Sequence, residues 1–435
     1  MSSEIIPSVP LLPEILALHA KWRPQHPAVI CDDEQLSWGE FGSINNRVAQ
    51  ALLARVEPGD RVGVVMSNGL PMLHALMGCM AAGLVSVPMN LSVNDDALIN
   101  MLSDAEVSAL FISADQYARL QAVMDRLPTS IKLWVSDQVC DARWLSLSEL
   151  IEGQPEAIAP IKIEPTTALN IIYSSGTTGM PKGIVHTQQG RRDWAYDLSL
   201  ALRYNDQAKT LITIGLYSNI SWVAMLSTLL VGGTLLLHKR FDAKVFLESI
   251  EREAVTHTAM VPIQYQRVLE VMRSNKDRCY DTSSMQSMMS CGSPLQAELK
   301  SEIFQRFPCG IIELYGLTEG IITTLSPEEA EGRWSSVGRP LMGTDIAIIN
   351  EQGQSVAAGQ NGEIVSRGRI TMSGYYNREQ ATREALYVDD QGRRWLRSGD
   401  IGQLDAEGFL YIVDRKKDMI LSGGQNVYPQ DIEAI

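Results

Sequence analysis

A loop rich in glycine and hydroxylated residues, 173–183, has the composition best suited to bind a polyphosphate. It follows an apolar run, 168–172, and contains four Ser or Thr side chains, three glycines and one lysine. Glycine lets the backbone approach an anion closely, free amides and hydroxyls can donate, and the lysine supplies one mobile positive charge. A Ser/Gly-rich surface turn would not account for Pro181-Lys182-Gly183 leading into a second apolar pair. We therefore predict a polyphosphate-binding loop.

The spacing of this loop differs from that of the Walker phosphate loop. Lys182 follows Gly179 by three positions and is preceded by Pro181, whereas the Walker motif needs glycine directly before lysine. The loop instead resembles, almost residue for residue, the signature of the adenylate-forming superfamily, which comprises acyl- and aryl-CoA synthetases, luciferases and the adenylation domains of peptide synthetases. The resemblance implies that the loop wraps the β- and γ-phosphates of ATP and that Thr178 and Lys182 are catalytic. The loop residues that inherit ATP binding in this way are Ser174, Ser175, Gly176, Thr177, Thr178, Gly179 and Lys182.

A second segment, 313–319, reads Glu-Leu-Tyr-Gly-Leu-Thr-Glu after an apolar, strand-like stretch. Taken alone, Thr-Glu after a glycine turn is equally typical of a helix N-terminus. Beside the first loop, the segment resembles a second element of the superfamily. The resemblance implies that Tyr315 stacks on adenine, that Thr318 contacts the α-phosphate, and that Glu319 helps to hold Mg²⁺, a cation that prefers oxygen ligands. It makes Thr318 and Glu319 catalytic and adds three nucleotide-binding residues, Glu313, Leu314 and Gly316.

Three shorter segments complete the nucleotide site that the resemblance implies. Segment 290–294 is similar to the family's small-residue loop beside adenine and contributes Gly292, Ser293 and Pro294; a strand-to-helix turn is an interpretation that can hold as well. Asp400, in Ser-Gly-Asp, corresponds to the aspartate that accepts both ribose hydroxyls, a task suited to an ionised acceptor. Asp414 falls on the family's hinge position, and Arg415 is expected to reach the ribose.

The assignment of residues to the acid-binding site is implied by the family alignment alone. They are Tyr217, Ser218, Trp222, Gln264, Tyr265, Gly316 and Leu317. Ordinary core packing is an equally good interpretation for the aromatic positions and for Gln264. Ser218 stands where peptide-synthetase domains place an aspartate that pairs with the substrate ammonium, and where many acyl-CoA synthetases carry histidine. Because an unpaired buried ammonium is costly, an amino acid substrate is disfavoured.

Alternating strands and helices must position these loops. Ser37 and Glu40 form a capping-box pattern before apolar residues at helical spacing. Strand-like and helical segments then alternate, which predicts mostly parallel sheets covered on both faces. The predicted strands are 61–66, 84–87, 210–214, 234–237 and 257–260, and the predicted helices are 71–82, 220–230 and 243–253. Beyond about Trp334, short β-like pieces between glycine-rich turns, such as 345–349, 362–367 and 408–413, predict a smaller subdomain.

The predicted fold class is therefore α/β, with two layered subdomains over about 1–330 and a β-barrel-like subdomain over about 331–413. Pro429, Asp431 and Glu433 are typical of a helix start, and the sequence ends one turn later. In the family a mobile C-terminal domain with an assisting lysine follows the hinge. We therefore expect a large N-terminal domain, 1–413, and a hinge with the truncated start of a C-terminal domain, 414–435.

Composition narrows the classes of partner. The 435 residues are 45% hydrophobic and 20% charged, as in soluble globular proteins. A net charge of −14 disfavours nucleic acid, and ATP and coenzyme A, also anions, must bind through local donors, a metal ion and a few cations. Six cysteines without a CxxC pair predict a reduced, cytoplasmic setting and no zinc site. No secretion signal or transmembrane segment is predicted.

Together these features predict an AMP-forming acid–thiol ligase that uses ATP and Mg²⁺. A fatty, aromatic or cyclic carboxylic acid would be converted to acyl-AMP with release of pyrophosphate, and the acyl group would pass to coenzyme A. Two alternatives stay open: transfer to a carrier-protein phosphopantetheine, and, in a truncated and impaired form, binding of nucleotide or acyl-AMP only. The sequence specifies neither the acid nor the oligomeric state.

Overall fold

The computed structural model describes residues 9–157, 162–174, 181–275, 278–415, 420–422 and 425–427. The helices are α1 (Leu12–Trp22), α2 (Trp38–Leu53), α3 (Leu70–Ala81), α4 (Asp95–Asp104), α5 (Tyr117–Gln121), α6 (Leu147–Ile151), α7 (Gln188–Ala201), α8 (Asn219–Val231), α9 (Ala243–Glu253), α10 (Pro262–Ser274), α11 (Ala297–Arg306) and α12 (Glu379–Glu384). The strands of the first half are β1 (Pro27–Cys31), β2 (Glu34–Ser37), β3 (Arg61–Val65), β4 (Val85–Pro88), β5 (Ala109–Ile112), β6 (Leu133–Ser136), β7 (Leu145–Ser146), β8 (Ala168–Ser174), β9 (Lys182–Thr187), β10 (Lys209–Ile212) and β11 (Thr234–Leu237). Those of the second half are β12 (His257–Met260), β13 (Ser287–Ser290), β14 (Ile312–Gly316), β15 (Ile322–Leu325), β16 (Arg339–Pro340), β17 (Thr344–Ile349), β18 (Gly362–Gly368), β19 (Gly374–Tyr375), β20 (Leu386–Val388), β21 (Arg394–Leu404), β22 (Leu410–Arg415), β23 (Ile420–Ser422) and β24 (Gln425–Val427).

Two large mixed sheets are parallel at the centre and antiparallel at the edges. The eight-stranded sheet has the order β19-β9-β8-β4-β3-β5-β6-β7, and its pairs from β8 to β7 are parallel. The nine-stranded sheet has the order β16-β15-β14-β13-β12-β10-β11-β1-β2, and its pairs from β14 to β1 are parallel. The N-terminal strand β1 pairs with β11, Val29 opposite Leu235, so the two sheets do not divide the sequence into successive halves.

Helices cover both faces of each sheet, which confirms the predicted α/β class. Residues of α2, α3, α7 and α8 share one hydrophobic core with β3, β5, β1 and β11, so these helices form a layer between the two sheets. The outer face of the eight-stranded sheet packs on α4 and α5, and that of the nine-stranded sheet packs on α9, α10 and α11. Strands buried on both faces need continuous apolar runs, which is the pattern at 61–66 and 84–87.

The local signals in the sequence correspond to real elements. The Ser37 hydroxyl accepts from the Glu40 amide, and the Glu40 carboxylate accepts from the Ser37 amide at 2.9 Å, so the predicted capping box begins α2. The expected elements 234–237, 243–253 and 257–260 have the bounds of β11, α9 and β12. The expected strand 408–413 begins later, at Leu410, because Gly408 adopts φ +83° in the preceding turn. The helix expected at Pro429 lies outside the described residues.

A five-stranded antiparallel sheet forms the smaller β-rich part of the chain. Its order is β17-β18-β21-β20, with β22 also paired to β21. The register of the β18–β21 pair shifts between Glu363 and Val365, and that of the β21–β22 pair shifts between Ile401 and Gly402. Such bulges bend a strand and increase its twist. The sheet is therefore curled, in line with the predicted β-barrel-like part. Strands β16 and β19 lie within the predicted subdomain 331–413 in sequence, but they pair with strands of the two large sheets.

In the part of the chain that the structure describes, no helix is long and apolar enough to cross a membrane. All six cysteines lie within this described part, and none of them forms a disulfide.

Candidate active site

A cavity of about 380 Å³ lies where the two large sheets meet. Residues that follow or end β4, β8, β13 and β14 line it, together with the first residues of α8. In α/β folds, ligands bind outside the carboxyl ends of parallel strands, so this position is the expected one for a substrate site. Eight residues predicted at the nucleotide or the acid line this cavity: Ser174, Tyr217, Ser218, Gly292, Leu314, Gly316, Leu317 and Thr318.

Strand β14 presents its two faces to different parts of the site. Leu314 and Gly316 line the cavity, as alternation along a strand allows, while Tyr315 between them points the other way. The Tyr315 hydroxyl donates to Oδ2 of Asp400 at 2.6 Å. Asp400 is 8% exposed, and its amide donates to the Ser398 hydroxyl at 2.9 Å. The structure thus brings together the two residues predicted at adenine and at ribose.

The two ends of the predicted phosphate loop lie side by side. Ser174 ends β8 and Lys182 begins β9, and the two residues are opposite each other in the antiparallel register. The Lys182 ammonium lies 4.9 Å from the ring centroid of Tyr375, within reach of a cation–π interaction. The remaining predicted loop residues, Ser175, Gly176, Thr177, Thr178 and Gly179, lie outside the described residues.

Glu319 follows the cavity-lining segment of β14 directly. One of its carboxylate oxygens accepts from the Tyr375 hydroxyl at 2.9 Å, and its carbonyl accepts from the Met372 amide at 2.8 Å. No cluster of three or more His, Cys, Asp or Glu side chains in the described ranges could hold a metal ion. A single carboxylate still fits Mg²⁺, which usually binds through one or two carboxylates, substrate phosphates and water.

Gly292 shows why a glycine stands at the turn after β13. Its φ is +92°, and a Cβ there would lie 3.2 Å from Cδ1 of Ile220 and 3.3 Å from Cγ1 of Val261. A larger residue would therefore be strained and would crowd the cavity that Gly292 lines. The neighbouring Ser293 and Pro294 are exposed and do not line the cavity.

Glu313 has a protein partner instead of a place at the cavity. Its carboxylate forms a buried ion pair with Lys300. Burial raises the pKa of Glu313, and the Lys300 ammonium opposes that rise. A buried charge needs such a partner. These contacts describe a buried structural ion pair. Glu313 does not line the cavity, and its contact with the nucleotide stays a prediction.

Three of the residues predicted at the acid do not line the cavity. Trp222 is fully buried and donates from Nε1 to the Leu216 carbonyl at 2.8 Å. The Tyr265 hydroxyl donates to the Met289 carbonyl at 2.8 Å, and the Gln264 amide donates to the Thr213 hydroxyl at 3.2 Å. Their polar atoms are thus satisfied within the protein, and the contacts are those of core residues. This outcome corresponds to the core-packing interpretation of these positions.

Tyr217 and Ser218 do line the cavity, at the start of α8. The Ser218 hydroxyl accepts from the Ile220 amide at 3.3 Å, so it caps the helix. A helix N-terminus carries a partial positive charge, which favours an anion at this end of the cavity.

Asp414 and Arg415 lie at the end of β22. Asp414 is 3% exposed and lies opposite Ile401, and Arg415 lies opposite Asp400 in the register of the pair. The register places the backbone of Arg415 next to the predicted ribose ligand. The hinge role of Asp414 and the ribose contact of Arg415 stay predictions.

Several residues that line the cavity or contact the site were not predicted from the sequence. Met89 and Asn90 directly follow the carboxyl end of β4, so the carboxyl-edge rule applied to the predicted strand 84–87 could have identified them. Trp194 lines the cavity from α7, and Tyr375 reaches Lys182 and Glu319 from β19. Neither position carries a local signal that separates it from a core aromatic residue.

Comparison with known proteins agrees with the geometry. The family model described as "AMP-binding enzyme" matches residues 16–376. A 2-succinylbenzoate–CoA ligase from Bacillus subtilis (strain 168) is 30% identical over 434 residues, covering 97% of this chain and 82% of the relative. A feruloyl-CoA synthase from an Amycolatopsis species is 32% identical over 419 residues, covering 95% of this chain and 80% of the relative.

A solved structure shows the same fold. The o-succinylbenzoate CoA synthetase from Bacillus subtilis, in complex with the acyl-adenylate intermediate OSB-AMP, matches with a TM-score of 0.84 and 28% identity, covering 98% of this chain and 83% of that one. The family match and the relatives confirm the resemblance that the loop motifs indicated. The chain therefore belongs to the AMP-binding enzyme family of adenylate-forming ligases, and its relatives there are acyl- and aryl-CoA ligases.

Proposed function

We propose that this enzyme activates a carboxylic acid with ATP, forming acyl-AMP and pyrophosphate, and then transfers the acyl group to coenzyme A. The main support is that one cavity is lined both by residues predicted at the nucleotide and by residues predicted at the acid. Ser174, Gly292 and Thr318 belong to the first group, and Tyr217 and Ser218 to the second. Adenylation needs these two substrates in contact, because positioning converts their encounter into an effectively unimolecular step.

The first half-reaction joins two anions. A carboxylate oxygen forms a bond to the α-phosphorus, the bond from that phosphorus to the bridging oxygen breaks, and pyrophosphate leaves with the electron pair. The site must therefore offset negative charge. Thr318 can donate a hydrogen bond at the cavity, Lys182 directly follows the cavity residue Pro181 and supplies a positive charge, and the N-terminus of α8 adds a partial one.

The second half-reaction exchanges AMP for a thiol. The sulfur of coenzyme A attacks the acyl carbonyl carbon, the thiol proton passes to solvent, and AMP leaves with the electron pair of the acyl–oxygen bond. The relatives named as CoA ligases and synthetases support coenzyme A as the acceptor.

The Tyr315–Asp400 pair fits a nucleoside. A carboxylate offers about four lone-pair sites, so Asp400 can accept from Tyr315 and from ribose hydroxyls together. The hydrogen bond from Tyr315 fixes the orientation of the carboxylate before the nucleotide arrives. The Tyr315 ring, attached to a strand whose other face lines the cavity, would then lie beside the base.

Glu319 is the residue that would hold Mg²⁺, together with substrate phosphates and water. Bound Mg²⁺ would supply charge neutralisation at the phosphate oxygens. The protein's own contribution is to hold the Glu319 carboxylate in place through the Tyr375 hydroxyl.

The cavity also limits the class of acid. Its described lining contains no Lys, Arg, His, Asp or Glu side chain. Much of the wall is apolar, including Met89, Ile172, Trp194 and Val223. A second charged group on the substrate would be buried there without a partner, which is costly. The proposed substrates are therefore aliphatic, aromatic or cyclic acids that carry a single carboxylate.

Pyrophosphate release with a panel of acids tests this function. Each apolar monocarboxylic acid is paired with an analogue of similar size that carries a second carboxylate, and products are analysed with coenzyme A, with a phosphopantetheinyl carrier protein, or with neither. We expect ATP- and Mg²⁺-dependent pyrophosphate release with the monocarboxylic acids and a thioester with coenzyme A. A thioester formed only on the carrier protein would mean that the carrier protein, and not coenzyme A, is the acyl acceptor. MgATP binding without any product would mean that the chain only binds nucleotide. Absence of both binding and product would refute the proposal.

A further inference from the structure

Tyr375 contacts both charged residues that flank the predicted phosphate position. Its hydroxyl donates to Oε1 of Glu319 at 2.9 Å, and its ring centroid lies 4.9 Å from Nζ of Lys182. Lys182 begins β9 in the eight-stranded sheet, whereas Glu319 lies in the loop between β14 and β15 of the nine-stranded sheet. One side chain therefore connects the cation and the carboxylate across the gap between two sheets.

The backbone around Tyr375 ties the same two elements together. Strand β19 pairs with β9, Tyr375 opposite Ile184, and the Tyr376 amide donates to the Gly183 carbonyl at 2.8 Å. On the other side, the Met372 amide donates to the Glu319 carbonyl at 2.8 Å. The segment 372–376 thus holds β9 and the Glu319 loop at a fixed separation.

The approach of this segment to the Glu319 loop requires a glycine. Gly320 adopts φ +128°, and a Cβ at that position would lie 2.6 Å from the Cα of Thr371. Because backbone atoms cannot give way as a flexible side chain can, the two segments could not pack in this manner around a larger residue. The position of Tyr375 is therefore set by backbone packing.

Lys182 and Glu319 carry opposite charges and share one neighbour, the Tyr375 side chain. In the described part of the chain, Lys182 and Glu319 form no ion pair, and each contacts Tyr375 instead. A direct pair would turn the ammonium away from phosphate and occupy the carboxylate oxygens.

We propose that Tyr375 is a positioning residue for MgATP. Its hydroxyl orients the Glu319 carboxylate toward Mg²⁺, and its ring keeps the Lys182 ammonium separate from Glu319 and available to phosphate. This inference rests on the proposed function, because it takes Glu319 as the metal ligand and Lys182 as the phosphate ligand.

Calorimetric titration with ATP, in Mg²⁺ and in EDTA, tests the proposal on Tyr375→Phe and Tyr375→Leu. Partners that orient a metal ligand typically change metal affinity by about 10- to 100-fold. Tyr375→Phe should therefore weaken MgATP binding at least about 10-fold and leave metal-free ATP binding unchanged, because the ring over Lys182 is kept. Tyr375→Leu should weaken both. The Mg²⁺ concentration for half-maximal pyrophosphate release should rise in Tyr375→Phe, with kcat recovered at high Mg²⁺.

Tyr376→Phe is the matched control, because the Tyr376 hydroxyl also donates to a carboxylate at 2.9 Å, that of the exposed Glu106. It should bind ATP as the wild type does, with and without Mg²⁺. The inference is wrong if Tyr375→Phe behaves like Tyr376→Phe, or if it weakens ATP binding equally with and without the metal. A wild-type protein that binds no MgATP would instead refute the proposed function itself.

Discussion

The Tyr315 hydroxyl and the Asp400 carboxylate, 85 residues apart in sequence, form a hydrogen bond of 2.6 Å between two sheets. Tyr315 belongs to β14 of the nine-stranded sheet, and Asp400 belongs to β21 of the five-stranded sheet. Asp400 is almost fully buried, so its carboxylate is held in one orientation by protein contacts. A ligand that binds to the carboxylate in this orientation binds more tightly, because the Asp400 side chain loses no further conformational entropy on binding.

Replacing Asp400 should affect the nucleotide more than the acid. Hydrogen bonds to charged groups contribute about 1.5–3 kcal/mol, so Asp400→Ala should raise the KM for ATP by about 10-fold or more. The KM for the acid should change much less, because Asp400 does not line the cavity. Pyrophosphate release with each substrate varied in turn measures both constants.

Glu407→Gln is the control for Asp400→Ala, because it removes one negative charge from an exposed turn beside the same sheet. It should leave both KM values unchanged. Equal increases in the two KM values for Asp400→Ala would show that the substitution disturbs the whole site and would contradict the ribose assignment.

Lys182→Ala should slow the first half-reaction. Removing one preorganised donor from a comparable site costs about 3 kcal/mol, which corresponds to roughly a 100-fold decrease in kcat for pyrophosphate release. Lys162→Ala is the matched control, because the Lys162 side chain is 89% exposed and pairs with Glu164 away from the cavity. A rate for Lys182→Ala equal to that of the control would exclude Lys182 from the reaction.

Val223 provides a test of the acid cavity. It lines the cavity from α8 and is 3% exposed, so Val223→Phe should fill part of the volume available to the acid. We expect the KM for the largest accepted acid to rise at least about 5-fold, because one methylene more or less in an apolar substrate pocket is worth about 1–3 kcal/mol, and the KM for ATP to stay constant. Val223→Ala should shift the preference toward larger acids.

Val245→Phe is the control for that pair of variants, because Val245 is 42% exposed on α9 and does not line the cavity. Its acid profile should match that of the wild type. An unchanged ranking of acids by size in both Val223 variants would mean that the acid binds elsewhere.

The elements could be predicted where their signals are local. The capping box at Ser37 and Glu40 lies within one turn of helix, and the strand 234–237, which directly follows two glycines, contains three consecutive leucines. Pairing between distant segments could not be predicted. Val29 lies opposite Leu235, and hydrophobic periodicity shows which residues are buried without showing what they pack against.

The site could be predicted in part for the same reason. Motif resemblance led to Gly292 and Thr318, which line the cavity, because glycine turns and hydroxyl spacing are features of local sequence. It did not distinguish the core residues Trp222 and Tyr265 from wall residues, because an aromatic side chain serves equally well in both places. Tyr375 becomes apparent only when β19 is paired with β9.

His74 should make the stability of the fold depend on pH. It is 5% exposed in α3, its Nδ1 lies 2.7 Å from Oδ1 of Asn45, and burial lowers its pKa to about 4. The unfolded chain binds a proton at this side chain below about pH 6.5, while the folded chain does not until about pH 4. The free energy of unfolding therefore falls as the pH drops through this window, by about 2 kcal/mol from His74 alone at pH 5. Urea unfolding of wild type and His74→Gln at pH 7.5 and pH 5 measures this term. The difference in the free energy of unfolding between the two proteins should shrink by about that amount at pH 5, because the variant lacks the titrating group. A constant difference would show that the pKa of His74 is the same in the folded and unfolded states.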